Sequence, residues 1–202
     1  MITEKVSNLN LNLLIALVVA IATGSMVSAM PDHAVAGENQ SIRGDETRRH
    51  ALVIGNSRYR FIPTLSNPAN DATDMAETLK SMGFTVTLKV DATQRAMETE
   101  ILKFGRQLRK GGVGLFYFAG HGVQVDGRNY LVPIDADVVS PSDIKYETVD
   151  AGRILGKMED AGNGINIIIL DACRNNPFAG NARTINRGLT KMEAPTGSIL
   201  AY

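Results

Sequence analysis

Tryptophan is absent from this chain, aromatic residues make up only 5% of it, and its 21 basic residues are matched by 21 acidic ones. A surface that stacks on nucleic acid bases needs aromatic side chains, and binding to a phosphate backbone needs an excess of positive charge. The composition therefore argues against nucleic acid as a partner of this protein.

Cysteine is also scarce, because Cys173 is the only one in the chain. An internal disulfide is therefore excluded, and without a pair of closely spaced histidines a zinc site is not expected. An unpaired thiol in an oxidising compartment is a liability unless the protein uses it, which favours a catalytic role. The alternative is an inert core thiol, a common fate of a single cysteine after a buried strand.

The apolar run at residues 13–22 is too short for a bilayer, since a transmembrane helix needs about 20 apolar residues. Small residues follow at 27–29 and 34–36, and either group can form a signal-peptidase cleavage site. Residues 1–36 are therefore predicted to be a secretory signal peptide, with an uncleaved amino-terminal anchor as the alternative. We expect an exported domain, periplasmic or extracellular, that meets a membrane only if this segment stays attached.

Residues 37–47 are polar without any period and are interpreted as a linker, which places one domain at 48–202. Helical and strand patterns alternate along this domain. They predict an α/β fold in which right-handed crossovers build a mainly parallel sheet flanked by helices. Asp126-Gly127, between two alternating segments, predicts a small antiparallel hairpin as well.

The helices are marked by their expected caps. Asn67 and Pro68 are typical of a helix start, Gly83 of its end, and Asp91 or Thr93 is predicted to cap the next helix. The residues expected to form the buried helical stripes are Ala72, Met75, Ala76, Leu79, Met82, Met97, Ile101, Phe104 and Leu108, followed by Ile154, Leu155 and Met158 after a cap at Asp150. We interpret the methionines among them as core residues.

Two buried strands end at groups that can act together. The run 165–170 is followed by Asp171 and Cys173, and the run 113–118 leads through glycine to His121. Chemistry in parallel α/β sheets gathers at the carboxyl ends of strands. A thiol also needs a base to attack a carbonyl at neutral pH.

His121 is the histidine that fits this role. His33 lies in the leader, and His50 opens the first strand at its amino end. If the two strands are adjacent, His121 and Cys173 share one edge of the sheet and can form a Cys–His dyad. No glycine-rich phosphate loop follows the first strand, which argues against a flavodoxin-like domain that binds a small ligand.

The two motifs H-G (His121-Gly122) and D-A-C-R (171–174) resemble those of the caspase-like cysteine peptidases. The caspase signature has Gln where this chain has Asp171 and Gly where it has Asn175. The aspartate resembles the metacaspase and bacterial orthocaspase branch instead. The tracts A-L-V-I-G-N-S-R-Y and L-V-P-I-D-A-D are also similar to those of bacterial caspase-family proteins.

The resemblance covers about residues 49–202 and implies a three-layer caspase-like fold and a cysteine endopeptidase with protein substrates. It implies His121 and Cys173 as the dyad and the N–H groups of Gly122 and Cys173 as the oxyanion hole. Asp171 is expected to bind Arg or Lys at P1, the residue before the scissile bond, or alternatively to cap nearby backbone N–H groups. A catalytically silent module for binding or scaffolding is the alternative function.

Three further expectations follow from the sequence. Asp135, Asp137 and Asp143 are weak calcium candidates, because oxygen ligands suit this ion, but solvated loop acids are the favoured interpretation. No cofactor is required, and no oligomeric state is favoured. Residues 172–192 lack acids and are interpreted as a solvated basic loop. The caspase fold normally continues past a strand like the one that starts at Ser198, so the chain is expected to be truncated at Tyr202.

Overall fold

The computed structural model describes residues 48–109, 111–173, 177–178, 189 and 198–201, all of which belong to the unit Gln40–Tyr202. The predicted leader and linker, and most of the basic loop, lie outside these residues. Among the described helices, none combines the length and the apolar character that crossing a bilayer requires.

Strands and helices alternate along the described part of the chain. In order they are β1 (Arg49–Gly55), α1 (Pro68–Ser81), β2 (Thr85–Val90), α2 (Gln94–Leu108), β3 (Val113–Val125), β4 (Arg128–Leu131), α3 (Ile144–Glu147), β5 (Val149–Asp150), α4 (Ala151–Glu159), β6 (Ile165–Cys173) and β7 (Ser198–Ala201). A 3₁₀ turn, Pro141–Asp143, directly precedes α3.

Five strands form a parallel sheet in the order β2-β1-β3-β6-β7. From Gly122 onward, β3 pairs antiparallel with β4, and β4 pairs antiparallel with β5. Asp126 and Gly127 join β3 to β4 with φ values of 50° and 75°, as a tight hairpin turn requires. The predicted α/β architecture, a mainly parallel sheet with a small antiparallel hairpin, is confirmed.

Helices cover both faces of the parallel sheet. A Cβ added at Gly55 on β1 would lie 2.5 Å from Ala72 Cβ, so α1 packs closely on one face. On the other face, α2 and α4 pack against the sheet. The buried residues of this second layer include Leu52, Ile54, Phe116, Phe118, Ile168 and Leu170 from the strands, with Met97, Ile101, Phe104, Leu108, Ile154, Leu155 and Met158 from the helices. The predicted stripes of α2 and α4 are therefore in the core.

The caps differ in detail from the prediction. Asn67 occupies the cap position of α1, but its side chain makes no capping hydrogen bond. The Ser57 hydroxyl accepts the N–H of Ala69 instead, at 3.0 Å, because the loop after β1 folds back over the helix start. Thr93 rather than Asp91 caps α2, and Asp150 caps α4 as predicted.

Two strands are longer than predicted. β3 continues through its glycines to Val125 instead of ending at Phe118, and β6 continues to Cys173 instead of ending at Leu170. Gly120 lies inside β3, where a Cβ would be 2.6 Å from the Tyr59 hydroxyl. A glycine inside a strand here marks the close approach of another group. The segment 133–145, which carries the three loop acids, contains the 3₁₀ turn and the first residues of α3.

Candidate active site

His121 and Cys173 are backbone partners in the ladder between β3 and β6, and theirs is its last pair. Neighbouring strands of a sheet lie about 4.8 Å apart, so the two backbones are adjacent. The prediction that the two residues share one edge of the sheet agrees with this register. Both residues lie within their strands, however, and not in the loops that were expected to follow them.

The His121 ring is buried, with 4% of the residue exposed, and one of its nitrogens makes a hydrogen bond. Nε2 lies 2.9 Å from the carbonyl oxygen of Pro63. A carbonyl can only accept, so Nε2 must carry the proton and donate it. In the neutral ring Nδ1 is therefore the basic nitrogen, and within the described residues it has no hydrogen-bond partner. Nδ1 is thus the nitrogen available as a base.

The surroundings of His121 also favour its neutral form. Burial lowers the pKa of His121 below its ordinary value, because the charged ring loses its hydration. The hydrogen bond to the Pro63 carbonyl opposes this shift but does not reverse it. At neutral pH the imidazole is therefore uncharged, as a proton acceptor must be.

Tyr59 supports the same histidine from the loop 56–66, which joins β1 to α1. The backbone N–H of His121 donates to the Tyr59 hydroxyl at 2.8 Å, and the two ring centroids are 4.7 Å apart at 52°. The sequence analysis assigned no role to Tyr59 or Pro63. The available signal was the position of Tyr59 just after the carboxyl end of a buried parallel strand, where functional groups collect.

The backbone of Gly122 is directed toward β6. The N–H of Val132 on one neighbouring segment donates to the His121 carbonyl at 3.0 Å, and the N–H of Asn56 donates to the Ala119 carbonyl at 2.9 Å. Backbone polar groups alternate in direction along a strand. The N–H of Gly122 therefore points to the opposite side from the His121 carbonyl, which is the side of Cys173. The oxyanion-hole assignment stays a prediction, and this direction is compatible with it.

Asp171 lies two residues before Cys173 on β6, and its side chain is exposed. The buried Tyr117 hydroxyl on β3 donates to Asp171 Oδ2 at 3.4 Å. Burial first, and then the charge of Asp171, raise the pKa of this phenol, so it remains a proton donor. Within the described residues no backbone N–H donates to Asp171, and the capping role stays an alternative.

A second carboxylate, Asp71 in the first turn of α1, lies close enough to Asp171 for their charges to interact. Burial raises the pKa of Asp71, and the charges of Asp171 and then of Asp74 raise it further. The sequence analysis missed Asp71, because an acid in the first turn of a helix is ordinary. Asp71 and Asp171 together make an acidic region beside Tyr117.

Two of the three calcium candidates, Asp143 and Asp135, accept hydrogen bonds from backbone N–H groups. Asp143 Oδ2 accepts the N–H groups of Ser140 and Val139 at 2.7 and 3.1 Å, and Asp135 Oδ1 accepts that of Gln94 at 2.9 Å. Within the described ranges, no group of three or more His, Cys, Asp or Glu side chains is placed to hold a metal ion. Asp135, Asp137 and Asp143 stay weak calcium candidates, and no reaction step is assigned to a metal ion.

Comparisons with known proteins agree with this fold. The family model described as the caspase domain, Peptidase C14, matches residues 48–199. Mucosa-associated lymphoid tissue lymphoma translocation protein 1 of Homo sapiens is 33% identical over 145 residues, which is 71% of this chain and 17% of that protein. Caspase-4 of Bos taurus is 29% identical over 143 residues, which is 69% of this chain and 37% of that protein.

The chain thus spans well under half the length of these curated relatives. Among solved structures, protein GSU0716 from Geobacter sulfurreducens has a TM-score of 0.50 at 21% identity, covering 62% of this chain and 50% of that one. That similarity supports the fold alone. The family match covers β1 to β6 completely, with the positions of His121 and Cys173, and reaches the start of β7. The chain belongs to the caspase-domain family, Peptidase C14.

Proposed function

We propose that this protein is a cysteine endopeptidase that cleaves after Arg or Lys, with His121 and Cys173 as its catalytic dyad. The observation that carries the proposal is their pairing at the end of the β3–β6 ladder. Membership in a family of peptidases supports the general activity, with proteins or peptides as substrates. The dyad, the specificity and the oxyanion hole are the specific parts of the proposal.

The reaction starts with a proton transfer from the Cys173 thiol to Nδ1 of His121. The sulfur attacks the scissile carbonyl carbon, a C–S bond forms, and the carbonyl electron pair moves to oxygen. When this tetrahedral intermediate collapses, the C–N bond breaks and His121 returns the proton to the leaving amine. Water then attacks the thioester with His121 as its base, and the carboxylic acid and the free thiol are released.

Pro63 has a defined part in this scheme, since its carbonyl oxygen holds the proton on Nε2 of His121. The ring therefore presents an unprotonated Nδ1 for the first step and cannot turn without losing the hydrogen bond. The N–H groups of Gly122 and Cys173 are proposed to stabilise the oxyanion. The direction of Gly122 toward β6 supports this role.

The acidic region formed by Asp71 and Asp171 is proposed to bind the P1 side chain. The charge of Asp171 raises the pKa of Asp71, and a cation bound between the two carboxylates would offset this repulsion. A guanidinium can be held by two parallel hydrogen bonds, and an ammonium by a point charge. An aspartate at P1 would meet repulsion instead, so a preference for basic residues follows.

A set of peptide substrates that differ only in their P1 residue (Arg, Lys, Ala or Asp) tests the proposal. We expect hydrolysis after Arg and Lys. Titration with an arginyl inhibitor that reacts with thiols should also give a burst of released product, and the size of the burst measures the number of reactive thiols. The same titration on Cys173→Ala should give no burst. Absence of both burst and turnover in the parent protein would instead favour the silent binding module.

A further inference from the structure

Asp91 has an unusual backbone. It follows β2 with a φ of 52°, one of two non-glycine residues among the described ones with positive φ. Such a conformation costs free energy and persists when surrounding contacts enforce it, often at functional sites. In the sequence analysis Asp91 was considered as a helix cap only, and Thr93 occupies that role.

The Asp91 carboxylate is the contact that enforces this conformation. Oδ1 accepts the backbone N–H groups of Ser57 and Arg58 at 2.8 and 2.9 Å. Oδ2 accepts Nε of Arg58 at 2.6 Å, while the Asp91 side chain is only 12% exposed. A single carboxylate thus binds two consecutive amides at the start of the loop 56–66.

That loop supplies the Tyr59 hydroxyl that accepts the His121 N–H and the Pro63 carbonyl that binds Nε2 of the ring. Tyr59 follows Arg58 directly, and the loop closes on itself where the N–H of Leu65 donates to the Ser57 carbonyl at 3.0 Å. Pro63 lies within this closed segment. A shift of Ser57 and its neighbour would therefore move the Tyr59 hydroxyl and the Pro63 carbonyl together.

We propose that Asp91 is a positioning residue for the catalytic histidine, because it fixes the loop whose Tyr59 hydroxyl and Pro63 carbonyl orient His121. Its effect on rate rests on the proposed function, whereas its effect on the His121 ring does not. The two backbone hydrogen bonds are the important contacts. The ion pair contributes little, since the Arg58 side chain is 83% exposed and water screens it.

Three variants separate these contributions. Asp91→Gly relieves the backbone strain and removes both carboxylate oxygens. A lower rate in this variant would therefore come from the lost hydrogen bonds and not from added strain. Asp91→Asn keeps an amide oxygen and a residue type that tolerates positive φ. Arg58→Ala removes the ion pair alone. We expect kcat/KM to fall about 100-fold in Asp91→Gly, mainly through kcat, by less in Asp91→Asn, and hardly at all in Arg58→Ala.

Glu100→Gln is the matched control. The Glu100 side chain is also 12% exposed and pairs with Lys89 and Lys103 at 3.4 and 3.0 Å. Like Asp91 it is a mostly covered, ion-paired carboxylate, but it has no contact with the loop 56–66. We expect its removal to leave kcat and KM at the parent values. An equal loss of kcat in Glu100→Gln would overturn the positioning role.

An NMR titration of the His121 ring gives a readout that does not need peptidase activity. Burial is the main cause of its lowered pKa, so we expect the pKa to rise toward the ordinary value in Asp91→Gly and to stay unchanged in Glu100→Gln. If the parent protein is inactive but the His121 pKa rises in Asp91→Gly, the peptidase proposal is rejected and the positioning role is kept. A folded Asp91→Gly with the parent titration would reject the positioning role. If this variant does not fold, the same titration on Asp91→Asn decides.

Discussion

The Pro63 carbonyl oxygen lies 2.9 Å from Nε2 of His121 and thereby determines which ring nitrogen can act as the base. A backbone carbonyl has no proton to give and no ionisation of its own. It therefore fixes the tautomer of the imidazole at every pH at which the ring is neutral. The buried Nδ1 is left as the nitrogen that would accept the thiol proton in the proposed reaction.

Removal of either member of the dyad should abolish or strongly reduce hydrolysis without unfolding the domain. We expect no turnover of an arginyl substrate by Cys173→Ala. In His121→Ala, kcat should fall by a factor of about 10²–10⁴, the usual contribution of a positioned general base. Steady-state kinetics and thermal melting of both variants provide the check. Normal turnover by Cys173→Ala would exclude it as the nucleophile.

Asp171→Ala should reduce activity on Arg and Lys substrates while the thiol stays reactive. Loss of one partner of a charge-assisted pair costs roughly 2–5 kcal/mol, so kcat/KM should fall on the order of 30-fold to several thousand-fold. Alkylation of Cys173 by a small uncharged reagent should change little. If Asp171 caps the backbone instead, alkylation, hydrolysis and the melting temperature should all decrease.

Asp71→Asn tests the second carboxylate of the acidic region. We expect kcat/KM for Arg substrates to fall by about tenfold or more, since a hydrogen bond to a charged group contributes about 1.5–3 kcal/mol. Glu77→Gln is the control, because it removes an exposed acid from the same helix, about two turns further on. A similar loss in both variants would point to a general electrostatic effect and exclude a direct role of Asp71.

The pH dependence of kcat/KM should reflect the buried histidine. A lowered pKa keeps His121 neutral as the pH falls below its ordinary value near 6.5, so the activity should persist into mildly acidic solution. The same shift affects stability with a defined sign. Below pH 6.5 the unfolded chain takes up a proton that the folded ring resists, so the free energy of unfolding decreases until the folded pKa is reached.

A pH–rate profile together with unfolding at several pH values measures both effects. His121→Ala is the control for stability, since it removes this ionisation and should show a smaller decrease over the same interval. An acidic limb of kcat/KM at or above pH 6.5 would contradict a buried neutral base. An acidic limb that moves in Asp71→Asn would belong to Asp71 instead.

Gly120→Ala should destabilise the protein. The new Cβ would lie 2.6 Å from the Tyr59 hydroxyl and 2.9 Å from a ring carbon of Phe118, and overpacking of a core typically costs about 1–3 kcal/mol. The displaced Tyr59 should also lower kcat. Gly156→Ala is the control, because among the described residues nothing beyond its chain neighbours and its own helix backbone lies within 4 Å of the added Cβ, and alanine favours a helix. Denaturant unfolding should show opposite signs for the two.

The sequence predicted those parts of the protein that depend on local periodicity. The buried stripe of α2, the hairpin at Asp126-Gly127 and the cap at Asp150 are all found as expected. Each of these depends on neighbours within a few positions of the chain. Membership in the caspase family was also predicted, because two specific motifs occur together.

Contacts between distant segments were not predicted. The strand was expected to end at Phe118, but it continues through Gly120, where the absence of a side chain leaves room for Tyr59 from a distant part of the sequence. Ser57 caps α1 in place of Asn67 for a similar reason. The sequence around Asp91 and Pro63 is ordinary. Their importance depends on contacts with residues of other segments, Ser57 and Arg58 for Asp91 and His121 for Pro63. Such contacts depend on the path of the whole chain, which periodicity does not describe.

The pairing of β3 with β6 has a consequence for the order of events during folding. A parallel ladder between remote segments closes only after the intervening chain has been organised, and such non-local pairings form slowly. The thiol of a nascent chain therefore has no base beside it until the central sheet is assembled. If His121 and Cys173 form the proposed dyad, the protein acquires its reactivity late in folding.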